Sequence, residues 1–312
     1  METLNQIKRE IEKVIVGQPE VVNQALTGLI AGGHILLEGV PGVAKTLLVR
    51  TLSNIVSLDF KRIQFTPDLM PADITGIKIF NMQTKEFELK KGPIFTNILL
   101  ADEINRTPPK TQAGLLEAMA EGHVTIEGDT LALEEPYVVF ATQNPLEYEG
   151  TYPLPEALLD RFLMKVAIDY PTLEEETEIL KKHHAGFDAS HVETGNVEVV
   201  CSKQQIIELR KHAEGIGVEQ SLLGYIAKLI QETRNNPMIE VGSSPRGGIA
   251  LLKCAKAYAL LQCISYVIPE DIKAMYIPVL RHRVILKAEV ELEGAKVDQV
   301  LKSILDRVVV PR

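Results

Sequence analysis

The stretch GGHILLEGVPGVAKTLLVRTL, at residues 32–52, decides the fold of this protein. A short apolar run leads into a loop that contains glycines, GVPGVAKT at 39–46, and a segment rich in leucine and valine with helical spacing follows. A strand, such a loop and a helix in this order form the phosphate-binding loop of nucleoside triphosphatases. The backbone N–H groups of the loop and the start of the helix both favour a bound anion. We therefore predict a nucleotide site at this loop.

The side chains of the loop indicate which nucleotide chemistry to expect. Lys45 would reach the β- and γ-phosphates of ATP, and the Thr46 hydroxyl would bind Mg²⁺. Gly39 and Gly42 let the backbone point several N–H groups at one anion. Ala44 stands where a glycine usually precedes the lysine, and we expect it to supply an N–H and to favour the helical backbone that begins there. The predicted ATP-binding residues of the loop are Gly39, Val40, Pro41, Gly42, Val43, Ala44, Lys45 and Thr46.

Two acids end a second apolar run, ILLADE at 98–103. A buried strand with this ending puts Asp102 and Glu103 at its carboxyl end, where ligands bind in open α/β sheets. We expect Asp102 to hold Mg²⁺, directly or through water, because carboxylate oxygens suit this ion. Glu103 is expected to polarise the water that attacks the γ-phosphate.

A third apolar run, YVVFATQN at 137–144, ends in the polar residue Asn144. Its carboxamide could contact both the γ-phosphate and the attacking water, and Gln143 is the alternative if the register differs by one residue. Short apolar runs of this kind alternate with segments of helical spacing, which predicts a parallel sheet with crossover helices. The runs lie at 34–38, 60–65, 97–101, 137–141 and 164–169.

The alternation is interrupted twice and then ends. Residues 74–95 and 123–134 each show two alternating apolar patterns around a polar turn, which predicts two hairpins. After about residue 170 the strand patterns mostly stop and helical spacing takes over. The predicted helices of this part lie at 203–214, 219–234, 245–262, 269–277 and 297–307. We predict a nucleotide-binding core over 1–185, and a connection with an all-helical lid domain over 186–312.

Composition restricts the partners and the compartment. The formal net charge is −9, which disfavours a nucleic-acid partner because phosphate backbones select basic surfaces. Three cysteines, Cys201, Cys254 and Cys263, cannot close a disulfide framework and are typical of thiols in a reducing compartment. The first residues lack the apolar centre of a signal peptide, and the sequence has no run of 18 apolar residues. We expect a cytoplasmic protein without a membrane span.

Taken together, these segments resemble the MoxR family of the AAA+ superfamily. The resemblance covers nearly the whole chain and implies an α/β P-loop core with a parallel sheet, followed by a smaller all-α lid domain. The two predicted hairpins resemble inserts of the helix-2-insert clade of AAA+ proteins. The similar segments are VIVGQ (14–18), GVPGVAKT (39–46), 99–126, 140–162, SPRGG (244–248) and 269–283.

The resemblance assigns roles that spacing alone does not. Arg161 would be an arginine finger that enters the site of the neighbouring subunit, and Arg246 would contact the γ-phosphate of its own subunit. Val16 would pack on the adenine ring, with Gly17 and Gln18 close to the base. For Asn144, Glu103 and Asp102 the resemblance implies the same roles that their positions at strand ends predict.

The resemblance also implies a function. It predicts hydrolysis of ATP to ADP and phosphate, with ATP and Mg²⁺ bound, in a homo-oligomer that forms a hexameric ring. It further implies a chaperone-like remodeller or activator whose partner carries a von Willebrand factor A domain, with Arg106 at the subunit interface. Three alternatives stay open: the ATPase subunit of a metal chelatase, a nucleotide-gated scaffold with little turnover, and a ring that translocates DNA.

Overall fold

The computed structural model describes residues 2–145, 150–189 and 195–311. Its strands are β1 (His34–Gly39), β2 (Phe60–Gln64), β3 (Gly76–Asn81), β4 (Glu86–Lys91), β5 (Ile98–Asp102), β6 (His123–Ile126), β7 (Asp129–Ala132), β8 (Val138–Gln143), β9 (Phe162–Ile168), β10 (Ile239–Val241) and β11 (Ile285–Leu286). Its helices in the first half are α1 (Glu2–Val14), α2 (Pro19–Ile30), α3 (Lys45–Ile55), α4 (Pro71–Thr75), α5 (Pro109–Gln112), α6 (Leu116–Glu121) and α7 (Glu156–Leu159). Those of the second half are α8 (Leu173–His184), α9 (Lys203–Glu214), α10 (Gln220–Asn235), α11 (Pro245–Leu261), α12 (Pro269–Leu280), α13 (Ala288–Leu292) and α14 (Val297–Arg307).

The central sheet has five parallel strands in the order β2-β5-β8-β1-β9. All five residues of β5 are buried, as are five of the six in β8, because helices cover both faces. This burial explains why these strands are continuous apolar runs rather than alternating ones. The predicted parallel sheet is confirmed, with strand ends that differ from the predicted ones by one or two residues.

The register of the sheet defines two edges. At the carboxyl edge, Gly39 of β1 pairs with Ile168 of β9, and Gln64 of β2 pairs with Asp102 of β5. At the amino edge, the first residue of β9, Phe162, pairs with the start of β1. A strand rises about 3.3 Å per residue, so the start of β9 lies about 20 Å from the carboxyl edge. Side chains that follow β1, β5 and β8 therefore share one edge, and those before β9 lie at the other.

Two antiparallel hairpins project from the core. β3 and β4 lie within the predicted range 74–95, and β6 and β7 lie within 123–134. Lys78 Nζ lies 2.6 Å from Asp129 Oδ2, so an ion pair joins the two hairpins. Both partners are partly exposed, which limits the contribution of this pair to stability.

Helices α9 to α14 form the helical lid, and the predicted helices of this part are present. The lid also contains a two-stranded ribbon, β10 with β11, in which Ile239 pairs with Leu286. Both side chains are buried, so the ribbon closes one end of the lid core. The prediction of a purely helical lid missed this ribbon because its strands have only three and two residues.

The lid and the core share one hydrophobic cluster. Helix α11 packs against α2, and α12 packs against β9. The cluster continues from Leu26 and Ile35 of the core to Leu251 and Met275 of the lid. The lid is therefore packed against the β9 side of the sheet. Among the described residues, no helix has both the length and the apolar character that crossing a bilayer requires.

Candidate nucleotide site

A cavity of about 680 Å³ lies at the carboxyl edge of the sheet. This volume is in the range of sites that enclose a small ligand such as a nucleotide. Elements that are distant in sequence meet here: the segment before α2, the loop after β1, and the ends of β5 and β8. Of the predicted site residues, those lining the cavity are Val16, Gln18, Pro41, Gly42, Val43, Ala44, Lys45, Thr46, Asp102, Glu103 and Asn144.

The loop between β1 and α3 has the backbone of a phosphate cradle. Gly42 has a φ of 87°, and Ala44 has a φ of 62°, which is in the left-handed region. The expectation that Ala44 already has helical backbone is therefore wrong: the chain must turn before the helix begins, and a glycine would do so without the steric cost of a Cβ. Lys45 is the first residue of α3, and its Nζ donates to the carbonyl oxygens of Gly39 and Val40, at 2.9 Å from the latter.

Asp102 is a buried carboxylate whose two oxygens both accept hydrogen bonds. Oδ1 accepts from the Thr142 hydroxyl at 2.5 Å, and Oδ2 accepts from Arg62 Nε at 2.8 Å. The described residues hold no cluster of three or more His, Cys, Asp or Glu side chains that could enclose a metal by themselves. The oxygens of Asp102 and Thr46, which line the same cavity, fit an ion such as Mg²⁺ that also takes ligands from phosphates and water.

Glu103 follows Asp102 with its backbone in the left-handed region, at a φ of 56°. Its N–H donates to the Thr142 hydroxyl oxygen at 2.8 Å. Its side-chain Oε2 accepts from Gln64 Nε2 at 2.6 Å and lies 2.9 Å from Arg106 Nε. Glu103 is thus fixed by contacts from β2, from β8 and from the turn that follows β5.

Thr142 is a site residue that the sequence analysis missed. Its side chain is buried, and it links the Asp102 carboxylate to the Glu103 backbone. The strand period offered a signal, because Thr142 and Asn144 are two residues apart and therefore face the same side. Asn144 is itself buried and lines the cavity.

The other side of the cavity is closed by the segment before α2 and by α8. Gly17 has a φ of 68°, and a Cβ there would lie 2.0 Å from Glu175 Oε1. The Gln18 amide donates to the carbonyl oxygen of Asp169 at 3.4 Å. Helix α8 was not predicted from the sequence. Its start could have been recognised from the capping box formed by Thr172 and Glu175. The residues of α8 and of the segment after it that line the cavity are Ile179, Lys182, His183, Phe187 and Ala189.

Arg161 and Arg246, both in the described part of the chain, are not among the residues that line this cavity. Arg161 directly precedes β9 and so belongs to the amino edge of the sheet. Arg246 Nη1 lies 3.0 Å from Asp160 Oδ2, next to Arg161 in sequence. In this arrangement Arg246 does not reach the cavity of its own subunit, which is where the family resemblance places it. Residues 146–149 of the predicted sensor segment lie outside the described residues.

The lid holds Arg246 at this edge through a buried anchor. Arg283 has a side-chain exposure of 4%, and it donates to Asp160 Oδ1 at 3.2 Å and to the Phe162 carbonyl at 2.7 Å. His282 Nε2 lies 3.0 Å from the same carbonyl, and burial keeps the pKa of this imidazole well below its usual value. These contacts attach the lid to the amino edge of β9 rather than over the phosphate loop.

Comparisons with known proteins agree with this fold. The model of the ATPase family associated with various cellular activities (AAA) matches residues 34–164, and that of the AAA lid domain matches residues 231–304. The uncharacterized protein YeaC of Bacillus subtilis is 48% identical, with 99% of this chain and 95% of that protein covered. Chaperone MoxR1 of Mycobacterium tuberculosis is 40% identical, with 99% and 83% covered. A proposed ATPase from Cytophaga hutchinsonii, known from a crystal structure, has 44% sequence identity to this chain. The two structures superpose with a TM-score of 0.89 over 100% of this chain and 96% of that one.

Proposed function

Because the chain belongs to the MoxR family of AAA ATPases, we propose that it hydrolyses ATP to ADP and phosphate in the cavity at the carboxyl edge of its sheet. One observation carries this proposal. A single cavity collects a phosphate-loop lysine, a threonine hydroxyl, two strand-end carboxylates and a carboxamide. Phosphoryl transfer needs this combination, since it proceeds mainly by positioning and by stabilisation of negative charge.

Each of these side chains has a defined task in the proposal. The N–H groups of the phosphate loop and Lys45 bind the phosphates, while Glu103 orients and polarises the attacking water. Asn144 contacts the γ-phosphate and the same water. Thr46 and Asp102 would hold Mg²⁺, which neutralises charge on the phosphate oxygens when it is bound.

Arg161 and Arg246 both act, in this proposal, on the site of a neighbouring subunit. This proposal is supported by the position of both arginines at the amino edge of the sheet. Measured along the strands, this edge lies about 20 Å from their own phosphate loop. A head-to-tail contact between copies would bring the arginines of one subunit to the nucleotide of the next, and repetition of that contact closes a ring. For Arg246 this proposal differs from the family resemblance, which implies a contact with the γ-phosphate of its own subunit.

The biological role that we propose is chaperone-like remodelling or activation of a partner protein. A relative that is 40% identical is named a chaperone, and the two linked hairpins offer moving parts that hydrolysis could displace. A hexameric ring and a partner with a von Willebrand factor A domain are proposals that rest on the family resemblance.

Two variants test the proposed chemistry. Lys45→Ala should lose detectable affinity for a fluorescent ATP analogue, because the substitution removes the ammonium group that binds the phosphates. Glu103→Gln should bind the analogue normally and release phosphate at least 100-fold more slowly, as expected for loss of a water-orienting base. Normal binding by Lys45→Ala would contradict the site. If the parent itself scarcely releases phosphate under assembling conditions, the scaffold alternative is favoured.

A further inference from the structure

Arg62 contacts the carboxylate that is assigned to the metal. It lies on β2, and its Nε and Nη2 approach Asp102 Oδ2 at 2.8 and 2.6 Å. The same guanidinium donates through Nη2 to Gln64 Oε1 at 2.6 Å. The other oxygen of Asp102 accepts from the Thr142 hydroxyl, so the protein itself engages both carboxylate oxygens.

We propose that Arg62 is a positioning residue for the metal, which neutralises Asp102 until Mg²⁺ arrives with the nucleotide and must then move away. The inference rests on the proposed function. The guanidinium approaches Oδ2 through both Nε and Nη2 and so occupies the two acceptor sites of this oxygen. Mg²⁺ or one of its water ligands can take Oδ2 only when Arg62 leaves, and the two cations would also repel each other. Contact of the metal, or of its water ligand, with Oδ2 and the ion pair between Arg62 and Asp102 are therefore mutually exclusive.

The burial of the two partners differs in the way that this exchange requires. The Asp102 side chain is 10% exposed, so loss of its cation would leave a buried charge without compensation. The Arg62 side chain is 48% exposed, and β2 is an edge strand of the sheet. Arg62 can thus move into water without disturbing the core, whereas Asp102 cannot move. The arginine is the exchangeable partner and the carboxylate is the fixed one.

The consequence is a competition that can be measured. In the parent, Mg²⁺ must displace Arg62 before it contacts Asp102, and this lowers the benefit that Mg²⁺ brings to nucleotide binding. A half-exposed ion pair changes an equilibrium by about fivefold at most. Mg²⁺ tightens nucleotide binding by a certain factor, and removal of the guanidinium should therefore make this factor about two- to fivefold larger.

The experiment compares the dissociation constant of a fluorescent ADP analogue in Mg²⁺ with that in EDTA, for four proteins. The ratio of the constant in EDTA to the constant in Mg²⁺ should be about two- to fivefold higher for Arg62→Gln than for the parent. Arg62→Lys should give an intermediate ratio, because lysine lacks the planar fork that engages Asp102 and Gln64 together. The control Lys61→Gln, at the exposed neighbouring position, should keep the parent's ratio.

The outcomes separate this inference from the proposed function. Equal ratios in the parent and Arg62→Gln would overturn the role of Arg62 and leave the nucleotide site intact. If no protein binds the analogue in either condition, the proposed function fails and the inference fails with it. Circular dichroism checks that the variants fold. Should Arg62→Gln be unfolded, Arg62→Lys decides by the same ratio, and an unchanged value contradicts the proposal.

Discussion

Three non-glycine residues at the cavity, Gln18, Ala44 and Glu103, have backbone in the left-handed region. This conformation costs about 1–2 kcal/mol for a residue with a Cβ, and it is found where the surrounding structure enforces it. At Ala44 the turn precedes the helix that carries Lys45, and at Glu103 it directs the N–H toward the Thr142 hydroxyl. Local strain is thus concentrated at the residues to which we assign the chemistry.

Replacing Ala44 by glycine should stabilise the protein. Glycine adopts a positive φ without steric cost, so we expect Ala44→Gly to raise the free energy of unfolding by about 1 kcal/mol. Urea denaturation measures this quantity. The control is Ala288→Gly in α13, where φ is not positive and glycine should lower the free energy of unfolding by about 0.5–1 kcal/mol. A loss of stability in Ala44→Gly would show that the left-handed turn carries no relievable strain.

At the scale of elements, His34 fixes the start of β1. Its Nδ1 accepts from the Val139 N–H of β8 at 3.0 Å, and its Nε2 lies 3.0 Å from the Met119 carbonyl of α6. The ring is therefore the neutral tautomer that donates from Nε2. Burial lowers the pKa of His34 to about 4, because the charged form would lose its hydration.

This histidine should make the protein less stable in mild acid. An unfolded histidine has a pKa near 6.5, so below that pH the unfolded chain binds a proton that folded His34 does not. The free energy of unfolding should fall as the pH drops from about 6.5 to 4, by roughly 3 kcal/mol from this group. His34→Gln should be less stable at pH 7.5 but show a shallower fall between these two pH values.

Denaturation curves at a series of pH values test the prediction. His212→Gln, on the exposed face of α9, is the control and should follow the slope of the parent. If His34→Gln loses stability as steeply as the parent does, the buried imidazole is not the source of the acid sensitivity.

At the scale of the whole molecule, Asp160 joins the lid to the loop before β9. It binds Arg283, which is buried, and Arg246, whose side chain is 60% exposed. The lid therefore presents Arg246 beside Arg161 at the amino edge, while the cavity opens at the other edge. Because both arginines lie away from the cavity of their own subunit, we expect activity to depend on assembly.

Mixing inactive variants tests whether both arginines act between subunits. Arg161→Ala keeps its own phosphate loop, and Lys45→Ala keeps its own arginines; each alone should be about 10³-fold or more below the parent in turnover. Mixed, some interfaces combine an intact loop with intact arginines, so phosphate release should partly return. Arg246→Ala mixed with Lys45→Ala should also recover activity. It would not recover if Arg246 served its own subunit, since no subunit would then have both groups.

The matched control is a mixture of Arg161→Ala with Arg246→Ala. Each subunit donates both arginines to the same neighbour, so every interface lacks one of them and activity should stay low. Sedimentation velocity verifies that the mixed proteins assemble. Recovery in this control mixture would show that the two arginines serve different sites.

The sequence by itself was sufficient for the parts of the site that are contiguous in the chain. The phosphate loop, with Lys45 and Thr46, and the acids Asp102 and Glu103 could be recognised because each is a short local pattern with a defined place at a strand end. The parallel sheet followed from apolar runs of strand length, since burial on both faces removes the alternation of polar residues. These features depend on neighbours in sequence, which a pattern records directly.

Only the tertiary structure decided the contacts between distant segments. Arg62 and Thr142 reach Asp102 because β2 and β8 both pair with β5, and strand order is not written in any single segment. The side on which Arg246 lies was likewise decided by packing. The motif around it shows that a lid helix begins there, but the apolar faces of α11 and α12 match α2 and β9, and burying them turns Arg246 away from its own phosphate loop.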